Sequence, residues 1–425
     1  MTLTTGKIAE VMFESYKETF EQSPQMLDLC TFNEPDAGMM QNAGNVIWRP
    51  KQQHAPIISG WDLTDEETDI IEETYPAILG TPSNDFVKQR ADDMRDMIFW
   101  KRRAVESGKR QAFELNKQIA AAIATQGSLY IRTDATSGFD VLGEAQVAMN
   151  ERQLRNMGRA FVFNDRDNYK FAKDLAGRQT LQGRPESVWG AGMIAQNVAE
   201  FDVYTGSFLP NLSGGADPAT TVTGDQSFAP EAGSVNTSTG VVTNVDCRIA
   251  TIAVADSSSY NVGDKVEIRN AGVAVNAIGL ADKTDSNQPM TFTIVAKPSG
   301  TSISVYPKPI AADDSALSTT ELAYANIDTV ILNGATVNRL NTDTSVKTNL
   351  FFDKSAVEVL GGVIPANLLA DFDGKKVIND TMSNGLNMYM VYDGSIVDMS
   401  FRYRLFTWWG ITVCCPENAG VVTTF

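Results

Sequence analysis

Ile8, Met12, Tyr16 and Phe20 recur every four residues near the start of the chain, with Glu10, Glu14, Glu18 and Glu21 on the far side. That interval predicts an amphipathic helical arm, which Thr4 or Thr5 can cap. Pro24 and then Pro35 limit its extent, because proline interrupts the helical ladder. Between Asn42 and Pro82 the pattern shortens to extended pieces, Val46-Ile47-Trp48 and then Ile70-Ile71 through Ile78-Leu79, separated by Pro50, Pro56, Gly60 and an acidic run. Two strands and a long loop are predicted there. From Asn84 to Gln126 there is no proline and one glycine, Gly108, while Ile98, Val105, Ala112 and Ile119 repeat at intervals of seven, with Leu115 and Ala122 beside them. One helix of roughly 60 Å is predicted at about 1.5 Å per residue. Gly108 is its candidate bend, since glycine weakens a helix interior.

Residues Gly138 to Phe201 mix helical segments with a short strand at Phe161-Val162-Phe163, an α+β pattern. Around Leu212 to Gly240 the chain turns to Ser, Thr, Gly and Asp, the composition of a linker or loop. Beyond it, Ala250, Ile252 and Val254 alternate with smaller or polar neighbours, and Val266 and Ile268 alternate with Lys265, Glu267 and Arg269. Met290, Phe292 and Ile294 repeat the pattern, and Ile303 and Val305 follow the turn Pro298-Ser299-Gly300. A period of two with such turns predicts antiparallel β structure. Val222 to Ser345 reads as a β-barrel or sandwich inserted into an α+β domain that resumes at Asn349. The tail from Leu386 to Phe425 is extended, and Phe401, Tyr403, Phe406, Trp408 and Trp409 lead into Ile411 and Val413. A buried sheet is the expected home for that run, with an aromatic carbohydrate-binding platform as the sharper alternative.

A chain of 425 residues with 43% hydrophobic content can form two or three domains with substantial cores. Its net charge of −17 repels phosphate backbones, so tight nucleic-acid binding is not expected. A container that holds and releases DNA would gain from such a wall. Cys30, Cys247, Cys414 and Cys415 have no CxxC spacing and His54 is the only histidine, so a structural zinc site lacks its ligands. Reduced thiols serving as small apolar fillers are expected. The acidic run Asp65-Glu66-Glu67 with Asp69 reads as a solvated loop, not a metal site.

No serine or cysteine triad can be built on His54, which sits in a Pro-flanked loop. The pairs Gly6-Lys7, Gly108-Lys109 and Gly374-Lys375 lack the earlier glycine of a phosphate-cradling loop. Asp92, Asp93 and Asp96 are crowded by Lys88, Arg90, Arg95, Lys101, Arg102 and Arg103, which makes them ion-pair partners at helical spacing. No catalytic, cofactor-binding or metal residue is expected. The first twenty residues, Met1 to Phe20, lack the apolar core of a signal peptide and no stretch reaches the length of a membrane span, so synthesis and folding in a cytoplasm are expected.

Several fragments resemble the coat proteins of P-22-like short-tailed phages. They are Gly60-Trp61-Asp62-Leu63-Thr64-Asp65, Asp85-Phe86, Arg90-Ala91-Asp92-Asp93 with Arg95-Asp96, and Gly127-Ser128-Leu129. Gln226-Ser227-Phe228 with Pro230, Pro307-Lys308-Pro309, Ala323-Tyr324-Ala325-Asn326 and Ile364-Pro365-Ala366-Asn367 continue the likeness in the same order, over nearly the whole chain.

The resemblance implies an α+β fold of the Hong Kong 97 capsid type with a long spine helix and an inserted all-β barrel. Laid on this chain, it implies an N-terminal arm over residues 1–41, an extended loop over 42–82 and a peripheral domain with the spine helix over 83–127. An axial domain follows over 128–221 and 346–385, interrupted by the inserted barrel at 222–345, and the C-terminal strands of the peripheral domain cover 386–425. It also implies a virion capsid protein, assembled in the host bacterial cytoplasm as pentamers and hexamers of an icosahedral procapsid. That shell forms around a scaffolding protein and expands as dsDNA enters through a portal protein. Relatives carry charges in a loop of the inserted domain, whereas Ser234 to Gly240 here is uncharged, which puts salt bridging there in doubt.

On this reading Trp61 and Asp62 are candidate contacts to a neighbouring subunit, and Glu10, Glu14 and Glu18 candidate contacts to the scaffolding protein. The competing classes are a tail or decoration protein that binds a receptor through its β-domain, and a carbohydrate hydrolase with paired carboxylates.

Overall fold

The apolar stripe of the first helix, α1 (Thr5–Glu21), is buried at Ile8, Met12, Tyr16 and Phe20, and Glu10, Glu14 and Glu18 face outward. In this computed structural model the described residues are 5–22, 26–34, 44–58, 61, 68–90, 97–133, 138–154, 156–177, 193–235, 242–343, 345–364, 376–395, 397 and 399–424. They form two compact units. One comprises Met1–Ile47, Ala77–Ile119 and Glu358–Thr412, and the other Trp48–Pro76, Ala120–Val357 and Val413–Phe425.

The long helix α2 is Met97–Gln126, 30 residues and about 45 Å, so it starts later than its proline-free stretch suggests. Residues 84–90 belong instead to a strand, Ser83–Arg90, paired antiparallel and in unbroken register with Ser400–Thr407. Lys376–Thr381 and Asn387–Ser395 complete this four-stranded sheet. Exposure alternates residue by residue along Ser83–Arg90, and the hydrogen-bonding edge of the aromatic strand outweighs the local helical composition. Trp100 is fully buried, edge-on to Phe401 and Tyr403 at ring distances of 6.0 and 5.6 Å. The buried stripe of α2 accordingly runs through Trp100, Ala104, Ala112, Leu115 and Ile119, while Ile98 from the seven-residue repeat is exposed. The aromatic run is core: Phe401, Tyr403 and Trp409 are buried and present no open platform.

α2 runs without interruption through Gly108. The missing side chain there admits α1: a Cβ at Gly108 would stand 2.9 Å from the Tyr16 carbonyl oxygen and 3.2 Å from Thr19 Cβ. The Tyr16 hydroxyl donates to Gln111 Oε1, which also accepts from Thr407 Oγ1 at 3.1 Å, so the crossing is tied to the sheet through one buried amide.

In the second unit, α3 (Gly138–Glu151) and α4 (Asp165–Gly177) pack on a mixed sheet whose core holds Phe161, Phe163, Phe171, Phe201 and Phe351. Its strand order is Leu129–Thr133, Ala419–Thr424, Val346–Asp353, Arg159–Phe163, Phe201–Thr205, Met193–Val198. A second sheet of the same unit runs in the order Thr220–Thr221, Thr336–Arg339, Lys265–Asn270, Thr291–Ser299, Ser302–Tyr306, Ala250–Ala253, antiparallel throughout. A bridge between Val222 and Val254, with Ala255 N donating to Thr221 O at 2.9 Å, joins the two outer strands and closes a barrel. Ile252, Val266, Ile268, Phe292, Ile294 and Val305 fill its interior. The linker-like composition at Leu212 to Gly240 hides the strand Thr220–Thr221, whose small residues complete the barrel wall.

Candidate assembly interface

On α1 the four-residue spacing sets Glu10, Glu14 and Glu18 on the solvent side of the helix, while its apolar side is held against α2. A cation lies nearby: Lys17 Nζ is 2.7 Å from Asp380 Oδ2. Glu21 accepts from the Ser383 amide at 3.0 Å, so the last turn of the arm is anchored to the sheet.

The extended loop has a stem of two paired strands, Val46–Pro50 and Thr74–Ile78. Ile70-Ile71, expected to begin a strand, precedes it as irregular chain. Trp61 is fully exposed, and Ile57 and Ile70 are 88% and 75% exposed, so three large apolar groups face solvent within one loop. Asp62 lies outside the described residues, as do Asp65, Glu66, Glu67, Asp92, Asp93, Asp96 and residues 236–240 of the inserted domain. His54 sits edge-on to the Tyr324 ring at 5.2 Å.

Sequence reasoning missed the buried charges. Lys51 Nζ lies 3.2 Å from Glu417 and 3.9 Å from Glu73, and Arg248 forms a two-pronged pair with Asp246. Lys265, read as an outward residue of an alternating strand, is wholly buried and donates to the Gly127 carbonyl and to Thr293 Oγ1. The polar–apolar alternation places Lys265 opposite the apolar interior but gives no sign that the Gly127 carbonyl, far off in the chain, covers it. Among the described residues no group of three or more His, Cys, Asp or Glu could hold a metal ion, and no helix is long and apolar enough to cross a membrane.

Among solved structures, the chain is similar to the capsid of Cyanophage P-SCSP1u, at 12% identity and a TM-score of 0.46, covering 93% of this chain and 86% of that one. It is similar also to the head protein of Helicobacter pylori bacteriophage KHP40, at 8% identity and a TM-score of 0.42, over 95% and 90% of the two chains. The CUS-3 coat protein I-domain matches at 29% identity and a TM-score of 0.24, covering 30% of this chain and all of that one. The family model of the P22 coat protein, gene protein 5, matches residues 1–424. With its α+β architecture and inserted β-barrel, the chain belongs to the P22 coat protein family and is a structural major capsid protein of an icosahedral bacteriophage shell.

Proposed function

We propose that the subunit closes its shell as pentamers and hexamers, with the extended loop lying over a neighbouring copy and the acidic side of α1 receiving a scaffolding protein. The observation that carries this is the exposure of Trp61, Ile57 and Ile70 on one loop. Each large apolar side chain contributes roughly 2 kcal/mol when buried, so a loop that is costly to solvate in the free subunit becomes adhesive in a lattice. The inserted barrel, residues 222–345 together with the strand Thr220–Thr221 that completes its wall, is an independently folding domain on this reading, supported by its closed sheet and its own core. Assembly takes place in the host cytoplasm, and dsDNA enters through a portal without being bound tightly, as the net charge of −17 favours.

The test is Trp61→Glu. Soluble subunit is expected at the wild-type level, with few closed shells by electron microscopy after mixing with scaffolding protein. Normal shells from Trp61→Glu would remove the loop as a major lattice contact.

A further inference from the structure

Segments far apart in sequence meet at the root of the extended loop, all within the second unit. Lys51 follows the first stem strand directly and has only 14% of its side chain exposed. Glu73 directly precedes the second stem strand, and Lys51 N donates to its carbonyl oxygen at 2.8 Å, so backbone and charge join the two sides of the stem at one point. Glu417 arrives on the single turn Pro416–Asn418, whose first carbonyl accepts from Ser128 Oγ at 3.0 Å. The inserted barrel and the chain leading into it supply a further side. Cys247 N donates to Thr74 O at 3.0 Å, Thr74 Oγ1 to Val245 O at 3.1 Å, and the Tyr324 hydroxyl to Ile71 O at 2.9 Å. The Arg248 guanidinium lies 5.5 Å from the centre of the Tyr75 ring.

A two-stranded ribbon is marginal by itself, so the stem's direction has to come from what it docks on. Hydrogen bonds and ring contacts contribute, but the charges respond most to loss of a partner, because removing one member of a buried pair strands the other. Burial drives the Glu417 carboxyl up, yet Lys51 beside it, with its own backbone amide and His54, holds it below the usual range. Burial prevails at Glu73, the more distant partner, which stays above its ordinary value. Glu417 Oε2 is buried with no hydrogen-bond partner among the described residues, and the ion pair of this carboxylate is made through its other oxygen to Lys51.

We propose that Lys51, Glu73 and Glu417 are positioning residues, a buried-charge latch that holds the stem of the extended loop against the inserted barrel and so sets the direction in which Trp61 is presented. The consequence for assembly rests on the loop reading given above; the latch itself does not.

Amide hydrogen exchange on the full-length, unassembled subunit separates the two. Glu417→Gln and Lys51→Met should each raise exchange at residues 48–58 and 68–76 by roughly ten-fold, with the barrel strands unchanged. The double variant should go no further than the larger single effect, because both remove one interaction. Unchanged stem exchange, or effects that multiply in the double variant, would overturn the latch. If Glu417→Gln does not fold, Glu417→Asp shortens the same arm and gives the same readout. Variants that loosen the stem yet build shells of wild-type size and yield would overturn its role in directing Trp61. Failure of the loop reading alone would appear differently, as normal shells from Trp61→Glu with the latch intact.

Discussion

Lys51 and Lys265 are both amines withdrawn from water in the second unit, and they meet opposite surroundings. Beneath the extended loop Lys51 faces two carboxylates, and although burial works against its charge, Glu417 and the other anionic groups around it raise it above the ordinary lysine value. In the barrel wall Lys265 donates to a carbonyl and a hydroxyl, and burial pushes it down to about 7, with Asp264 offsetting only part of that. Asp264 is already engaged by Arg339 at 2.7 Å. The junction is therefore built from mutually dependent charges. The barrel is built from apolar burial large enough to carry a lysine that is poorly solvated.

The largest expected effect tests that division inside the barrel. Phe292, fully buried opposite Val266, should cost about 3–5 kcal/mol when replaced by alanine, read by chemical denaturation of the full chain with a probe in the barrel. A loss under about 1 kcal/mol would mean that the barrel does not rest on its apolar interior.

A smaller effect separates the two lysines by pH. Lys265 is depressed in the folded chain, so between about pH 7 and the unfolded lysine value near 10.5 the unfolded chain holds more protons. Stability should rise with pH across that window. Lys265→Met should flatten the rise in thermal melts taken at pH 7, 8 and 9. Lys51 has the opposite sign: its contribution is complete below the unfolded value of 10.5 and is lost as pH climbs through the raised folded value. An unaltered slope in Lys265→Met would show that the amine keeps its proton in the folded chain and is not depressed by burial.

The smallest effect belongs to the arm. Reversing Glu14 and Glu18 to lysine should change stability by only a few tenths of a kcal/mol, since both are exposed and spaced as like charges on one helix. Scaffold incorporation should nevertheless fall, and wild-type incorporation should weaken as salt shortens the screening length toward about 3 Å at 1 M. Scaffold binding that ignores both changes would leave the acidic stripe as an ordinary solvated surface.

Legibility in the sequence followed how local the governing interaction was. The arm and the barrel were readable because a period of four and a period of two report directly which face is covered. Ser83–Arg90 was not, because a partner more than three hundred residues away decides its state. Gly108 stood out in the sequence, but the close approach of α1 that needs its missing side chain could not be read there, because the neighbour lies some ninety residues away. The exposure of Trp61 was readable because its loop offers too few core positions to pack as an independent unit. Lys51, Glu73 and Glu417 could not be connected, since nothing across a separation of 366 residues marks the first and last as partners.

The way the chain passes into and out of the barrel bears on how such a protein changes over evolutionary time. Leu212 is paired with Val346 and Thr220 with Val337, so the two connections run side by side and the insertion hangs from a single doorway. Closing that doorway with a short turn costs little chain entropy, because the ends it must join are already neighbours. A lineage can thus acquire, exchange or discard the whole module as a cassette, leaving the strand Val346–Asp353 in place between Ala419–Thr424 and Arg159–Phe163.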